Sequence, residues 1–333
     1  MRIINANAEL LENTDNLYNM IERAGRTCYK SEDNITNESS TRFVKMMTKN
    51  KHTAMLEHAW VHFTCSSYLT YYLLEMIPTE QLKYLQIDDG IISGSLRSFL
   101  ELLENDKEYK RSEMKILATI LIEKFPEIFG QFKEDYYISM PEEGIISYAK
   151  DDIVKLTSVE GECVMLYTSN QFSKYCKDPD ILFKHLPHTI KFICDRGVSH
   201  EFVRHRPASF AQESTRYCNY AKDKFNNEIT VIKPCYYEEN SAEYKLWKKS
   251  CENSENTYFS LLALNSTAQQ ARSVLPNSLK TEVIITATEA EWQHIVNLRL
   301  IGTTGAPHPQ MIEVMRIAGN ILNKTSESRI KIK

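Results

Sequence analysis

The sequence predicts an α/β protein of mixed α+β type that folds as a single domain over residues 1–333. Two patterns predict this class. The stretch 59–67, "AWVHFTCSS", alternates between two faces in the way typical of a strand. The stretch 8–29 instead places leucine and isoleucine near helical spacing. Because no internal repeat, low-complexity tract or Pro/Gly/Ser-rich linker divides the chain, we expect one domain with an elaborated middle.

The first third of the chain contains elements of both kinds. From the apolar patterns we expect a strand at 1–6, a helix over 8–29, a helix from about Ser40, a strand at 59–67, and a strand or turn that leads into an amphipathic helix within 90–105.

The rest of the chain continues this mixture. We expect a helix over 113–125, two strands within 151–169 joined by a turn at Glu160–Gly161, a helical pattern interrupted by Gly197 over 188–206, a helix over 265–275 ended by Pro276, a strand at 280–289, and helices over 289–300 and 307–322. Within 188–206, Ser199 is expected to cap the last helical piece, since its hydroxyl can accept from a free first-turn N–H.

Composition and charge limit the classes of protein. The formal net charge is -4, whereas a protein that binds nucleic acid over a wide surface is usually basic. The eight cysteines form no CxxC pair, so free thiols and a reduced, cytoplasmic protein are expected. No stretch reaches the roughly 18 apolar residues that a membrane-spanning helix needs.

The most informative stretch is 196–217, "RGVSHEFVRHRPASFAQESTRY", which contains four arginines and two histidines. A metal site is not predicted, because His200 and His205 are five residues apart and would lie about 140° apart around a helix. A nucleic-acid groove needs an extended track of positive charge, which this stretch lacks. A pocket for small anions suits the arginines, since guanidinium binds phosphate bidentately. Surface ion pairs with Glu201 and Glu213 would also account for them.

One segment of this stretch resembles a family motif. The sequence "RHRPASFAQESTRY" at 204–217 resembles the RHRxxSxxxxSxRY motif of the flavin-dependent thymidylate synthases, the ThyX family, and the matching positions are Arg204, His205, Arg206, Ser209, Ser214, Arg216 and Tyr217. Further blocks look like family segments in the same order, at 26–31, 52–63, 91–99, 271–283, 297–299 and 308–314. Residues from about 100 to 190 match poorly and are interpreted as an elaboration of the family fold.

The resemblance implies a fold and a reaction. The fold would be a mixed β-sheet flanked by helices, in a homotetramer whose active sites are shared between subunits. The reaction would methylate dUMP at C5 to give dTMP, with methylenetetrahydrofolate as carbon donor and NADPH-reduced FAD as hydride carrier. Its partners would be these small molecules, with no nucleic acid and no membrane. Such an enzyme needs no cysteine nucleophile.

The resemblance also assigns roles to residues. The substrate would be bound by Glu201, Arg204, Gln212, Ser214, Thr215, Arg216 and Lys280. The flavin would be bound by His58, Arg204, His205, Arg206, Asn297, Arg299 and His308. Arg316 would be catalytic, because a cation beside the uracil ring stabilises the negative charge that develops during the reaction.

Two positions depart from the family pattern. Many members have a phosphate-binding arginine where this chain has Glu282, and Lys280 is the expected substitute because even spacing places both on one face of a strand. Arg316 stands slightly later than the usual arginine of the final helix. These departures keep a catalytically impaired nucleotide-binding relative open as an alternative, and an RNA-binding protein that uses Arg204–Arg206 is a third.

Overall fold

The protein is represented by a computed structural model that describes residues 1–11, 14–36, 38–138, 140, 142–159 and 161–333. The described residues divide into two compact units. Unit 1 comprises Met1–Glu12, Ala24–Asp33 and His188–Lys333, and unit 2 comprises Asn13–Arg23 and Asn34–Pro187. None of the helices in the described ranges is both long enough and apolar enough to cross a membrane.

The strands are, in chain order, β1 (Arg2–Ile4), β2 (Asn7–Leu11), β3 (Trp60–Thr64), β4 (Leu85–Asp88), β5 (Ile91–Ser95), β6 (Gly144–Tyr148), β7 (Val154–Ser158), β8 (Cys163–Thr168), β9 (Pro187–Asp195), β10 (Ser209–Gln212), β11 (Thr230–Ile232) and β12 (Lys280–Thr288).

The α-helices are α1 (Leu17–Tyr29), α2 (Ser39–Lys49), α3 (Ser67–Met76), α4 (Thr79–Leu82), α5 (Leu96–Asp106), α6 (Ser112–Lys124), α7 (Pro126–Phe129), α8 (Lys133–Tyr136), α9 (Ser169–Tyr175), α10 (Pro179–His185), α11 (Arg196–Phe202), α12 (Ala242–Ala263), α13 (Ala268–Ala271), α14 (Glu289–Val296) and α15 (Pro309–Thr325). A π-helical turn, Asn297–Ile301, follows α14 directly.

Unit 1 is built on a four-stranded sheet in the order β10-β12-β9-β2, beside a parallel pair of β1 and β11. The pairs β2/β9 and β10/β12 are antiparallel. Apolar side chains of β9 and β12 form one core with Trp292 of α14 and with Met311, Val314 and Met315 of α15, all fully buried. The amphipathic pattern of α15 places these residues on one face, so the helix covers the sheet and its first turn is held in place.

Unit 2 contains a six-stranded antiparallel sheet in the order β4-β5-β3-β8-β7-β6. Its core combines strand residues with the apolar faces of α5 and α6, and Phe63, Phe99, Phe129 and Phe132 are among its fully buried side chains. Ser95 caps α5 by accepting from the Ser98 N–H, which explains why β5 leads directly into that helix.

Several predicted elements are confirmed. The strands at 59–67, within 151–169 and at 280–289 correspond to β3, to the antiparallel pair β7/β8 and to β12. The helices predicted at 113–125 and 307–322 correspond to α6 and α15. Glu160 of the predicted turn lies outside the described residues, and Gly161 has a left-handed φ of 90°, which suits glycine.

Two helix predictions are wrong in their first parts, which are strands that pair with each other, whereas their later parts correspond to α1 and α11. The first part of 8–29 belongs to β2, and the first part of 188–206 belongs to β9, with Asn7 opposite Ile193 and Leu11 opposite Thr189. A short buried strand shows an apolar run that periodicity cannot separate from a helix, and the pairing joins distant parts of the chain.

The predicted cap of the following helix is also wrong. Asp195 caps α11, because its Oδ1 accepts from the Val198 N–H at 2.7 Å. Ser199 lies inside the helix, where its hydroxyl donates to the Arg196 carbonyl at 3.0 Å. The helix begins four residues earlier than expected because the strand ends at an aspartate, which is a good N-cap residue.

Candidate active site

The 212–217 loop follows directly from β10. The Glu213 N–H donates to the Glu282 carbonyl at 2.8 Å, and the Ser214 N–H donates to the Cys28 carbonyl at 3.0 Å. The turn closes when the Tyr217 and Cys218 N–H groups donate to the Ser214 carbonyl. These backbone bonds hold the loop on β12 and on the end of α1, so its polar side chains have a defined position.

Two arginines lie on this loop or next to it. Arg216 is exposed, and its Nε donates to Gln269 Oε1 at 3.2 Å, while its backbone N–H donates to Ser214 Oγ at 3.3 Å. Arg272 donates from Nη1 to Thr215 Oγ1 at 3.3 Å. The loop therefore combines a serine hydroxyl with two permanent cations, which is a donor set suited to phosphate. Arg272 was missed as a site residue, although the segment "ARSVLP" that contains it was recognised.

Gln212 lies at the end of β10 and faces the interior of unit 1. Its Nε2 donates to Ser199 Oγ at 2.8 Å and to Thr281 Oγ1 at 3.2 Å. Both acceptors belong to elements on which the loop rests, α11 and β12. Gln212 thus ties the loop to its support.

Glu282 is the centre of a cluster of lysines. Its Oε1 accepts from Lys280 at 2.5 Å and from Lys30 at 2.8 Å, and its Oε2 lies 2.9 Å from Lys191 Nζ. Burial alone would raise the pKa of Glu282, but Lys280 and Lys30 outweigh it and hold this pKa well below its usual range. Lys280 also donates to Glu213 Oε2 at 2.9 Å. The ammonium group of Lys280 is therefore bound by two carboxylates, one of which belongs to the loop.

The Arg204–Arg206 turn follows α11. Arg204 and Arg206 are exposed, whereas His205 is 5% exposed and accepts at Nε2 from Arg299 Nε at 3.1 Å. Arg299 also donates from Nη1 to Glu201 Oε2 at 2.8 Å. Arg299 belongs to the π-helical turn Asn297–Ile301, a conformation that is frequent at functional sites. Arg299 thus links Glu201, which was predicted to bind the substrate, to His205, which was predicted to bind the flavin, and both roles stay predictions.

His205 also lies near two residues of α14. One ligand atom each of His205, Glu291 and His294 lies within 4.8 Å of the others, which is a spacing that a metal ion can close. We assign no metal to this group, because the Arg299 guanidinium already donates to His205 and its positive charge opposes a cation there.

Two further predicted residues, His308 and Arg316, lie just before α15 and within it. His308 is exposed and stands immediately before α15, with its ring edge-on to Tyr236 at a centroid distance of 5.8 Å. Arg316 is exposed further along the helix and lines a cleft of about 510 Å³ together with Cys235 and Glu313. The volume of the cleft is in the range of small-molecule sites.

His58 belongs to unit 2, apart from the other predicted residues in the division of the chain. It ends a 3₁₀ helix, Thr53–His58, two residues before β3 begins. Its side chain is buried, with 3% exposed. Its predicted contact with flavin stays a prediction.

Comparison with known proteins identifies relatives. The family model described as "Thymidylate synthase complementing protein" matches residues 9–71 and 175–327 and leaves 72–174 outside the match. A flavin-dependent thymidylate synthase of Pyrococcus furiosus is 34% identical over 107 residues, which cover 32% of this chain and 43% of the relative. One of Geobacter sulfurreducens is 31% identical over 104 residues, which cover 31% and 43%. The chain thus spans less than half the length of these two relatives.

A solved structure also resembles the chain over most of its length. The UMP/dUMP methylase PolB from Streptomyces cacaoi, bound with 5-Br dUMP, is 12% identical and covers 98% of this chain and 96% of its own. The TM-score is 0.39, which is too low to support conclusions about fold or function.

Proposed function

Because the chain belongs to the thymidylate synthase complementing protein family, we propose that it is a flavin-dependent thymidylate synthase. In this proposal it methylates dUMP to dTMP, with methylenetetrahydrofolate as carbon donor and NADPH as reductant. FAD, when bound, would supply the hydride chemistry, and the chain would orient it. The names of the Pyrococcus and Geobacter relatives support the flavin and the thymidylate product.

The 212–217 loop carries this proposal. Ser214, Arg216 and Arg272 offer a hydroxyl and two guanidinium groups around one turn, and this set fits the phosphate of a nucleotide. Lys280 reaches the loop through Glu213, so its role in this proposal is to hold the loop in place. Thr215 is buried and accepts from Arg272, which orients that guanidinium group.

The flavin residues are proposed on the chemistry of the Arg204–Arg206 turn. Two exposed guanidinium groups within three residues fit the diphosphate of FAD, and the buried His205 beside Arg299 fixes the turn between them. Asn297, His308 and the unit 2 residue His58 are proposed as further flavin contacts. Arg316 would act on the uracil, because a nearby cation stabilises the charge that develops on the ring.

We extend the proposal to the assembly and its location. A homotetramer with shared active sites, in the cytoplasm, is the arrangement that the family resemblance implies, and both units would serve one functional domain. Light scattering of the purified protein measures the mass of the assembly directly, and a monomer would contradict shared sites.

The proposed function is tested by spectroscopy and turnover. The visible spectrum of the purified protein should show flavin and should shift when dUMP is added. Turnover with methylenetetrahydrofolate and NADPH should then yield dTMP. A protein that takes up no added FAD would refute the proposal.

The role of Arg216 can be tested separately. Arg216→Ala should weaken dUMP binding by about 10- to 100-fold, since a hydrogen bond to a charged group contributes about 1.5–3 kcal/mol. Flavin content should not change. Lys222→Ala removes an exposed cation near the loop and is the matched control, with unchanged dUMP affinity. Equal loss of both ligands in Arg216→Ala would contradict the division of roles.

The buried Glu282 favours a second candidate, a catalytically impaired relative that still binds nucleotide. An acid stands where many family members have a phosphate-binding arginine, and three lysines are bound to it. Flavin and dUMP binding without dTMP formation would support this candidate over the enzyme.

A further inference from the structure

The first turns of α15 contain two polar side-chain atoms with no hydrogen-bond partner among the described residues. Gln310 Nε2 and Glu313 Oε2 are both buried at the atomic level, and the whole Gln310 residue is only 6% exposed. A buried amide donor or carboxyl acceptor without a partner costs about 1–3 kcal/mol, so such atoms are rare unless a ligand or water completes them.

The side chains of Gln310 and Glu313 both contact the segment that contains Cys235 and Tyr236. Gln310 Oε1 accepts from the Tyr236 hydroxyl at 3.3 Å, and the Cys235 thiol approaches the Glu313 carboxyl group. The two residues are three positions apart on α15, so they lie on one side of the helix about one turn apart. Because Tyr236 fixes the amide oxygen, the orientation of the Gln310 amide is set and its N–H₂ is left available.

The position adjoins the cleft already described. Glu313 lines that cleft with Arg316 and Cys235, and Gln310 lies one turn earlier on the same helix. Burial raises the pKa of Glu313, with the carboxylate of Asp195 adding to the shift, while the bond from Cys235 opposes it. The cleft therefore offers one carboxyl acceptor and one nearby permanent cation, and the buried N–H donor of Gln310 lies one turn away on the same helix.

We propose that Gln310 and Glu313 bind the imide edge of a pyrimidine base, with Gln310 Nε2 donating to a ring carbonyl and Glu313 accepting from the ring N–H. A uracil base presents a carbonyl next to an N–H, which complements this donor and acceptor. In cytosine the ring N3 is an acceptor that would face the Glu313 carboxylate, and an amino donor replaces the carbonyl that would face the Gln310 amide, so both contacts are lost. This inference rests on the proposed function, and it assigns base specificity to residues other than Arg316 and the 212–217 loop.

The test uses the full-length protein at pH 8, where the Glu313 carboxyl group ionises more fully. Gln310→Met and Glu313→Met keep the approximate length of each side chain and remove its polar atoms. Asn320→Met is the matched control, because Asn320 is a polar residue that lines the same cleft further along α15. Calorimetric titration with dUMP, dCMP and deoxyribose 5-phosphate separates base binding from sugar-phosphate binding.

The proposal predicts a specific pattern. The unmodified protein should bind dUMP more tightly than dCMP or deoxyribose 5-phosphate. Each of the two variants should bind dUMP about tenfold more weakly, since one hydrogen bond contributes about 1.4 kcal/mol or less to such a complex. Their affinity for deoxyribose 5-phosphate should not change, and Asn320→Met should bind all three ligands as the unmodified protein does.

Thermal unfolding without ligand provides a second readout. Gln310→Met removes an unpaired buried donor, and the one bond lost with it comes from the hydroxyl of Tyr236, a residue that is 47% exposed and can bind water instead. Its unfolding midpoint should therefore be unchanged or raised, whereas a purely structural glutamine would give a lower midpoint. Unchanged dUMP affinity in both variants, or an equal loss of dUMP and deoxyribose 5-phosphate, overturns the inference and leaves the proposed function standing. If the unmodified protein binds no dUMP, the proposed function fails and the inference fails with it.

Discussion

A chain of four hydrogen bonds crosses the interior of unit 2. His185 Nε2 lies 2.9 Å from Asp88 Oδ2, and His185 Nδ1 lies 2.8 Å from Ser93 Oγ. The same hydroxyl lies 2.8 Å from His62 Nδ1, and His62 Nε2 lies 3.0 Å from Ser169 Oγ. His62, Ser93 and His185 are fully buried. Burial lowers the pKa of both histidines, although the Asp88 carboxylate opposes the shift at His185.

The direction of every bond in this chain follows from one hydroxyl proton. Asp88 is an acceptor, so His185 Nε2–H donates to it and His185 Nδ1 must accept from the Ser93 hydroxyl. The Ser93 oxygen then accepts from His62 Nδ1–H, and His62 Nε2 accepts from the Ser169 hydroxyl. Both rings are neutral in this arrangement, and the Ser93 hydroxyl is the one group that joins them.

Ser93→Ala should therefore destabilise unit 2 far more than the loss of one small side chain suggests. The variant leaves the His62 Nδ1–H without an acceptor and His185 Nδ1 without a donor, both inside the core. Each unpaired buried atom costs about 1–3 kcal/mol, so the free energy of unfolding should fall by about 2–6 kcal/mol. Urea unfolding followed by circular dichroism measures this loss, and hydrogen exchange of the β3 and β5 amides localises it.

Ser173→Ala is the matched control in the same unit. Ser173 is exposed, and its hydroxyl only donates back to the Asn170 carbonyl at 2.9 Å, so its removal should change the free energy by less than about 0.5 kcal/mol. If the Ser93→Ala protein is as stable as the Ser173→Ala protein, both the assignment of the Ser93 hydroxyl proton and the predicted loss of unfolding free energy are refuted.

Two further predictions concern pH and buried charge. Because the pKa values of His62 and His185 are lowered in the folded protein, the stability that these neutral rings contribute should be complete above about pH 6.5. Below that pH it should decrease by up to about 1.4 kcal/mol per pH unit for each ring. A urea midpoint of unit 2 that is equal at pH 7.5 and pH 5.5 would contradict this. Glu282→Gln should lower the stability of unit 1 by about 3–5 kcal/mol, because it leaves three part-buried ammonium groups without their shared carboxylate. The control is Glu9→Gln, which removes the more exposed Lys191–Glu9 ion pair and should lower the stability by less than about 1 kcal/mol. Equal thermal unfolding midpoints for the two variants would show that Glu282 and its lysines do not stabilise unit 1.

The elements that the sequence predicted well have strong local patterns. In α15 and α6, apolar residues recur over a long stretch, and β5 ends at a serine that caps the next helix. The elements that it predicted poorly, β2 and β9, are stabilised by each other across the sheet. No local pattern in either stretch shows that the two segments pair as strands, because a short apolar run suits a strand and a helix equally.

The residues of the candidate site also divide into those that the sequence alone identified and those that only the fold brought to the site. The motif at 204–217 was recognisable from residue types and spacing alone, since the arginines and serines of that loop are close in sequence. Arg272 and Lys30 reach the same region from distant segments, and neither could be assigned a contact before the fold was known.

By itself, therefore, the sequence determined the family motif, the residue types available for an anionic nucleotide, and the helices and strands whose apolar period is long. Only the tertiary structure decided which charges remain available. Lys280, expected to bind phosphate, is bound by Glu213 and Glu282, whereas Arg216 stays exposed. The physical reason is that a charged side chain can bind a ligand only where its burial and its nearest partners leave it available, and the chain brings those partners together only when it folds.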